Sequence, residues 1–245
     1  MSQKGISTRR SAIVWRGPSV FTGNPVQIVM TGIDLKSVNE KTGPMVQISV
    51  LPEGRNPSLD FGTLRERDVC GDCVLVGRGA RRVCYAAYLA WLHGQHMMQY
   101  RELSFVEARV ALAGKSVRVG SYGDPAAVPF DVWNELLVRV DNWTGYTHAW
   151  RTCDQRFRHL LMASVETTDG YLEARRMGWR TFRLKLPSFA VHPGEIRCPY
   201  ETHGVQCVKC RLCCGTERPA KSVVVNAHGV GAGGSLRFVQ KELFI

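Results

Sequence analysis

Between residues 45 and 226, short runs of β-branched and apolar residues alternate with longer stretches at helical spacing, and no other feature limits the fold so narrowly. Strands are predicted at residues 45–50, 116–120, 144–147, 160–165, 179–186 and 222–226. Helices are predicted over residues 84–92, 103–112, 130–140, 151–159 and 170–177. In the third of these, Val132, Trp133, Leu136, Leu137 and Val140 recur at helical spacing, and Gly178 follows the last as a stop signal. Strand, helix and strand in repetition imply parallel pairing through right-handed crossovers. The predicted strands lean apolar, as strands covered on both faces do. The fold class expected is therefore α/β: a partial (β/α)6-type barrel of parallel strands, with an open doubly wound sheet as the other architecture. In either, ligands gather at the carboxyl ends of the strands.

The punctuation divides the chain further. Residues 1–44 are turn-rich and read as an N-terminal arm with one or two short strands. Residues 45–190 form the barrel-like core, 191–220 a cysteine-rich metal-binding insertion, and 221–245 the last strand and a tail. The run Gly229-Val230-Gly231-Ala232-Gly233-Gly234 matches G-x-G-x-x-G, but too few residues follow it to complete a βαβ unit, so it reads as a hinge.

Eight of nine cysteines fall into two groups. The first holds Cys70, Cys73 and Cys84. The second holds Cys198, Cys207, Cys210 and Cys213, with Cys214 adjoining. Thiolates two residues apart can grip one metal centre from a single loop. Four sulfurs can close a shell around zinc, and Cys-x-x-Cys-x-x-Cys also opens the ferredoxin-type iron–sulfur run. Three sulfurs leave a position open for chemistry; alternatively Cys70 and Cys73 pair with His93 or His96 on zinc, and Cys84 is an ordinary helix residue. No export signal precedes these cysteines, so a reducing, cytoplasmic setting is expected, where clustered thiols serve as ligands. Cys153 stands alone and reads as a small buried residue.

Polar residues stand at the predicted strand ends: Gly123 and Asp124 after the second, Tyr146 and His148 after the third, Glu166 after the fourth, Lys185 in the fifth, and His228 after the sixth. A parallel sheet brings such positions to one rim. Asp124, His148 and Glu166 are the candidate catalytic and substrate-contacting groups.

Thirty-two lysines and arginines against 21 acids give a net charge of +11, which favours DNA or RNA as partner. Basic segments at residues 78–82, 151–158, 175–180 and 209–211 would meet phosphates; Trp143, Trp150 and Trp179 either stack bases or pack in the core between helices and sheet. No run of 18 apolar residues suggests a membrane span. A rolling-circle nuclease is disfavoured because no His-hydrophobic-His pair occurs.

A cysteine loop after the first strand of a six-unit β/α barrel resembles the radical S-adenosylmethionine superfamily. The resemblance implies a [4Fe–4S] cluster on Cys70, Cys73 and Cys84 and an open iron for S-adenosylmethionine. Gly120-Ser121-Tyr122-Gly123-Asp124-Pro125 stands where that superfamily has a cofactor-contacting turn, implying Gly123 and Asp124 as cofactor contacts, with Tyr146 and His228 beside them. Cys198, Cys207, Cys210 and Cys213 are similar to its auxiliary-cluster extensions. The spacing here is Cys-x2-Cys-x10-Cys, where the superfamily has Cys-x3-Cys-x2-Cys. A nearer resemblance, over roughly residues 45–229, is to phage- and plasmid-borne proteins of the gene product eighty-eight type. It rests on Cys84-Tyr85-Ala86, Gly123-Asp124 and Tyr146-Thr147-His148. The expected function is thus an iron–sulfur protein acting on or binding nucleic acid. The alternative is a zinc-binding, replication-associated nucleic-acid-binding protein.

Overall fold

The structure is a computed structural model that describes residues 11–34, 39–76, 84, 86–96 and 99–227. His228, Tyr85, the basic segment 78–82 and the glycine run 229–234 lie outside the described residues.

The elements in chain order are β1 (Ser11–Pro18), β2 (Pro25–Thr31), β3 (Val46–Pro52), α1 (Pro57–Asp60), α2 (Arg67–Cys70), α3 (Ala87–His96), β4 (Arg101–Glu102), α4 (Phe105–Leu112), β5 (Ser116–Val119), α5 (Phe130–Leu136), β6 (Asn142–Thr147), α6 (Phe157–Leu160), β7 (Met162–Val165), α7 (Thr168–Arg176), β8 (Thr181–Lys185), β9 (Glu195–Arg197), α8 (Pro199–His203), α9 (Cys207–Cys210) and β10 (Ser222–Asn226). All ten strands join one sheet in the order β4-β1-β2-β3-β5-β6-β7-β8-β10-β9. From β3 to β9 every neighbouring pair is parallel, whereas β1, β2 and β3 pair antiparallel. The fold is α/β with a mostly parallel sheet. Strands β3, β5, β6, β7, β8 and β10 lie side by side in sequence order, with no reversal. Right-handed crossovers that always step the same way leave their helices on one face, so this order is compatible with a partial barrel.

The two faces differ. Val117, Val119, Ala163 and Val165 share the main core with Ala108, Leu112, Trp133, Leu136 and Ala174 of α4, α5 and α7. On the other face the register aligns Ser164, Phe182 and Val223 in one row and Leu184 with Val225 in the next. There, Met162, Val223 and Val225 pack with Tyr146, Phe182, Leu184, Cys198, Leu212 and Cys213. The second cysteine group thus covers the sheet face opposite the main helices.

Several expectations change. The one or two short strands expected in the N-terminal arm are β1 and β2, and rather than standing apart they extend the sheet through paired hydrogen bonds. The helix expected over 151–159 shrinks to α6, because Asp154 accepts from the Arg156 amide and holds a turn. Trp150 and Trp179 are fully buried, and Trp143 donates its indole N–H to the Leu160 carbonyl, so these three are packing residues rather than base-stacking platforms. Among the described residues no helix is long and apolar enough to cross a membrane.

Candidate functional site: two cysteine groups on one cavity

The first group is built from the carboxyl ends of β3, β5, β6 and β7. Helix α2 ends at Cys70, where Gly71 at φ 56° turns the chain toward Cys73. The Cys84 amide donates to the Leu75 carbonyl (2.9 Å), which brings the third thiol back beside the first two. Next to them runs the turn at residues 120–125. Ser121 N–H donates to Ile48 O, and Val50 N–H donates to Tyr122 O, both at 2.8 Å. Asp124 N–H donates to Val69 O at 2.6 Å. Gly123 sits at φ 74°, and a Cβ there would collide with the Val50 carbonyl oxygen, so the turn lies too close to β3 for any side chain.

Asp124, a candidate cofactor and substrate contact, lines the cavity described below; its Oδ1 accepts the Ala126 amide at 2.9 Å and its Oδ2 the His148 amide at 2.7 Å. The carboxylate ties the end of β5 to the end of β6, and its role is to place His148. The His148 Nε2 lies 3.4 Å from Oε1 of Glu166. Glu166 itself follows β7 directly and precedes Thr167, whose hydroxyl accepts the Gly170 amide and starts α7. Burial would lower the His148 pKa, but the Cys73 thiol and Glu166 outweigh it and raise it well above the usual value. Burial, then Cys73 and Glu66, push the Cys70 thiol up; burial and Cys73 push Cys84 up to about 11.

One residue at this site is not among the candidates the sequence offers. Glu66 is buried four residues before Cys70, and its carboxylate accepts the Gly62 amide and the Tyr122 hydroxyl (3.4 Å), with the Cys70 thiol 3.9 Å away. The i, i+4 spacing of Glu66 and Cys70 was the available signal. Of the histidines offered as zinc ligands, His93 is engaged at both nitrogens: Nδ1 meets Tyr100 Oη at 2.6 Å and Nε2 meets Ser49 Oγ at 3.0 Å.

The second group hangs on backbone hydrogen bonds from distant segments. Cys198 N–H donates to Val224 O, Cys207 N–H to Lys41 O, and Gly145 N–H to Cys213 O, at 3.0, 3.0 and 2.8 Å. Arg180, buried at the start of β8, donates to the carbonyls of Leu212, Cys214, Gly215, Ala220 and Lys221 and approaches Cys214 Sγ at 3.8 Å. It moulds the loop that carries Cys213. Burial, then Cys207, Cys198 and Cys210, hold the Cys213 thiol far above its usual range.

Both groups open on one cavity of about 330 Å³, walled by Cys70, Cys73 and Cys84 on one side and Cys198, Cys207 and Cys213 on the other. Tyr146, stacked on Phe182 at 4.3 Å, and Gly123 also line it. Cys70, Cys73 and His148 continue into an outer cleft of about 920 Å³ that reaches Glu166 and Asp169. Lys185 does not join them: its Nζ donates to the Leu186 and Pro187 carbonyls. Cys214 also turns away, its thiol donating to Arg211 O at 3.6 Å.

Thiols packed this way stay protonated unless a cation replaces the protons, and a metal inverts the mutual repulsion of their thiolates. Among the described residues, however, no three Cys, His, Asp or Glu side chains converge on the point a single ion would occupy. No protein-family model, characterised protein or solved structure matches this chain.

Proposed function

We propose that this chain is an iron–sulfur protein built on a partial (β/α)6-type barrel, with residues 191–220 as a metal-binding insertion against the inward face of the sheet. The observation that carries the reading is the shape of the donor set. Zinc holds each sulfur at about 2.3 Å, so four thiolates must close on one point. A [4Fe–4S] cluster is a body several ångströms across, and its ligands stand around it. Here the thiols of each group influence one another electrostatically, yet converge on no single point. Cys70, Cys73, Cys84, Cys198, Cys207 and Cys213 line one cavity instead. Soft sulfur donors suit iron–sulfur chemistry.

Cys70, Cys73 and Cys84 would hold one cluster, and Cys198, Cys207, Cys210 and Cys213 the other. When bound, such a cluster supplies one-electron chemistry. The residues around the first group then have separate tasks. The turn at Gly123 and Asp124 fixes the His148 backbone, and His148 with Glu166 can hold or pass a proton at the mouth of the outer cleft. That cleft falls within the size range of small-molecule sites, and S-adenosylmethionine is the cofactor the family resemblance suggests for it.

A polyanionic partner is proposed on charge alone. Of the arginines lining the cleft, Arg67 and Arg151 are paired with Asp72 and Glu173.

The test is anaerobic purification followed by a visible spectrum and analysis for iron, sulfide and zinc. Brown protein with equal iron and acid-labile sulfide is expected, and the reduced protein with S-adenosylmethionine should release 5′-deoxyadenosine. Colourless protein with stoichiometric zinc refutes the cluster reading and favours the zinc-binding alternative. An intact cluster without 5′-deoxyadenosine refutes the radical activity alone. DNA or RNA binding that weakens steeply with salt supports the polyanion; no binding at low salt removes it.

A further inference from the structure

We propose that His148 is the fourth ligand of the first cysteine group, so that Cys70, Cys73, Cys84 and His148 hold the metal together and Glu166 backs the imidazole. The inference rests on the metal-binding reading above and goes beyond it by closing a site that three cysteines leave open.

Three observations lead there. First, the position of His148 is built. Its amide is fixed by Asp124 Oδ2, and the Asp124 amide is fixed in turn by the carbonyl of Val69, the residue before Cys70. The histidine and the cysteine loop are thus joined through two hydrogen bonds. Second, the ring lies between the Cys73 thiol and the Glu166 carboxylate, and it lines both cavities together with Cys70 and Cys73. Third, Nε2 is buried and faces Glu166 Oε1 at 3.4 Å. A metal on Nδ1 would leave the ring proton on Nε2, directed at Glu166. Metal-bound histidines usually donate their second nitrogen to a carboxylate or carbonyl in this way.

The other donors nearby are spoken for. Both Asp124 oxygens accept backbone amides. Glu66 serves Tyr122 and Gly62. His93 is engaged at both nitrogens. Cys153 lines the outer cleft and not the inner cavity.

A neutral imidazole in place of a fourth thiolate leaves the centre less negative and raises its reduction potential. It also means that an incoming ligand reaches the metal only by displacing His148.

The experiment is pulsed electron paramagnetic resonance on the full chain, reconstituted anaerobically with iron and sulfide, reduced with dithionite, and prepared with 14N- or 15N-histidine. The signal of the first group is the one Cys73→Ser removes. Expected is a strongly coupled nitrogen on that signal, shifted by the isotope and lost in His148→Gln. Should the glutamine variant fail to assemble, His148→Cys should keep the cluster, lose the nitrogen and move the potential downward. A first-group signal without strongly coupled nitrogen, or coupling that survives His148→Gln, overturns the proposal. A spectrum that Cys73→Ser leaves unchanged overturns it too, while the second group keeps its assignment. Zinc in place of iron, with an X-ray absorption nitrogen shell at about 2.0 Å that His148→Gln removes, sinks the cluster reading but upholds the ligand. A wild-type chain that binds neither metal overturns both.

Discussion

Replacing Arg180 tests whether one buried side chain shapes the second cysteine group. Its guanidinium donates to five carbonyls between Leu212 and Lys221, at 2.7–3.1 Å, from a position only 3% exposed. Hydrogen bonds from a charged donor contribute about 1.5–3 kcal/mol each. They do not add fully, because a vacated loop relaxes and admits water. Counting two bonds' worth as irrecoverable, Arg180→Met should cost about 4–5 kcal/mol. Arg180→Lys keeps the charge and at most three donors, and should cost about 2 kcal/mol. With a urea slope of about 3 kcal/mol/M, the midpoint should fall by roughly 1.5 M for methionine and roughly 0.7 M for lysine. The local effect is read separately, from the rate at which Cys213 and Cys214 react with a thiol reagent under native conditions. Both rates should rise in the methionine variant, because the loop is freed before the sheet unfolds. A methionine variant that loses less than about 1 kcal/mol and labels at the wild-type rate would show that the loop holds itself, and the reasoning would fail.

Three other predictions are independent of metal. Gly123→Ala should lower stability by roughly 2–4 kcal/mol, since it combines a left-handed φ with a clash against the Val50 carbonyl; an unchanged melting temperature would contradict the close approach of turn and strand. Arg183 and Glu195 form a fully buried bidentate pair with both bonds at 2.7 Å. Arg183→Met alone should cost about 3–5 kcal/mol, and adding Glu195→Leu should recover much of it; a double variant no better than the single one in a denaturant cycle refutes the stranded-charge account. Burial lowers His93 to about 4. The folded value lies below the unfolded one near 6.5, so stability from this group is complete above about pH 6.5 and is lost as pH falls toward 4, by up to about 3 kcal/mol. His93→Gln should flatten that slope in denaturation at several pH values, and an equally steep slope in the variant assigns the effect to other groups.

Local signals reached far along the chain. The six predicted core strands each overlap an observed one, because each carries its own run of apolar residues and its own turn signals. The helix expected over 130–140 stops at Leu136 instead, for a stop there depends on how the next residues pack. In β8 the alternation of Phe182 and Leu184 with Arg183 and Lys185 gives no hint that both charged residues are buried. Arg183 is inside because Glu195, twelve residues on, meets it there, and Lys185 because loop carbonyls receive its ammonium. The tryptophans carried two readings for the related reason that an aromatic beside arginines looks alike in a core and on a binding surface, and burial decided for the core. Asp124 was correctly placed at a strand end, but which groups its two oxygens serve depended on loops brought together from elsewhere.

The sequence by itself determined the alternation of strands and helices and the two sets of thiols, since periodicity and two-residue cysteine spacing are local properties of the chain. Only the tertiary structure decided that the two sets share one cavity, that His148 lies between Cys73 and Glu166, and that Arg180 moulds the loop bearing Cys213. Those are long-range contacts. They follow from strand order and from the hydrogen bonds that satisfy buried polar groups, neither of which a local pattern encodes.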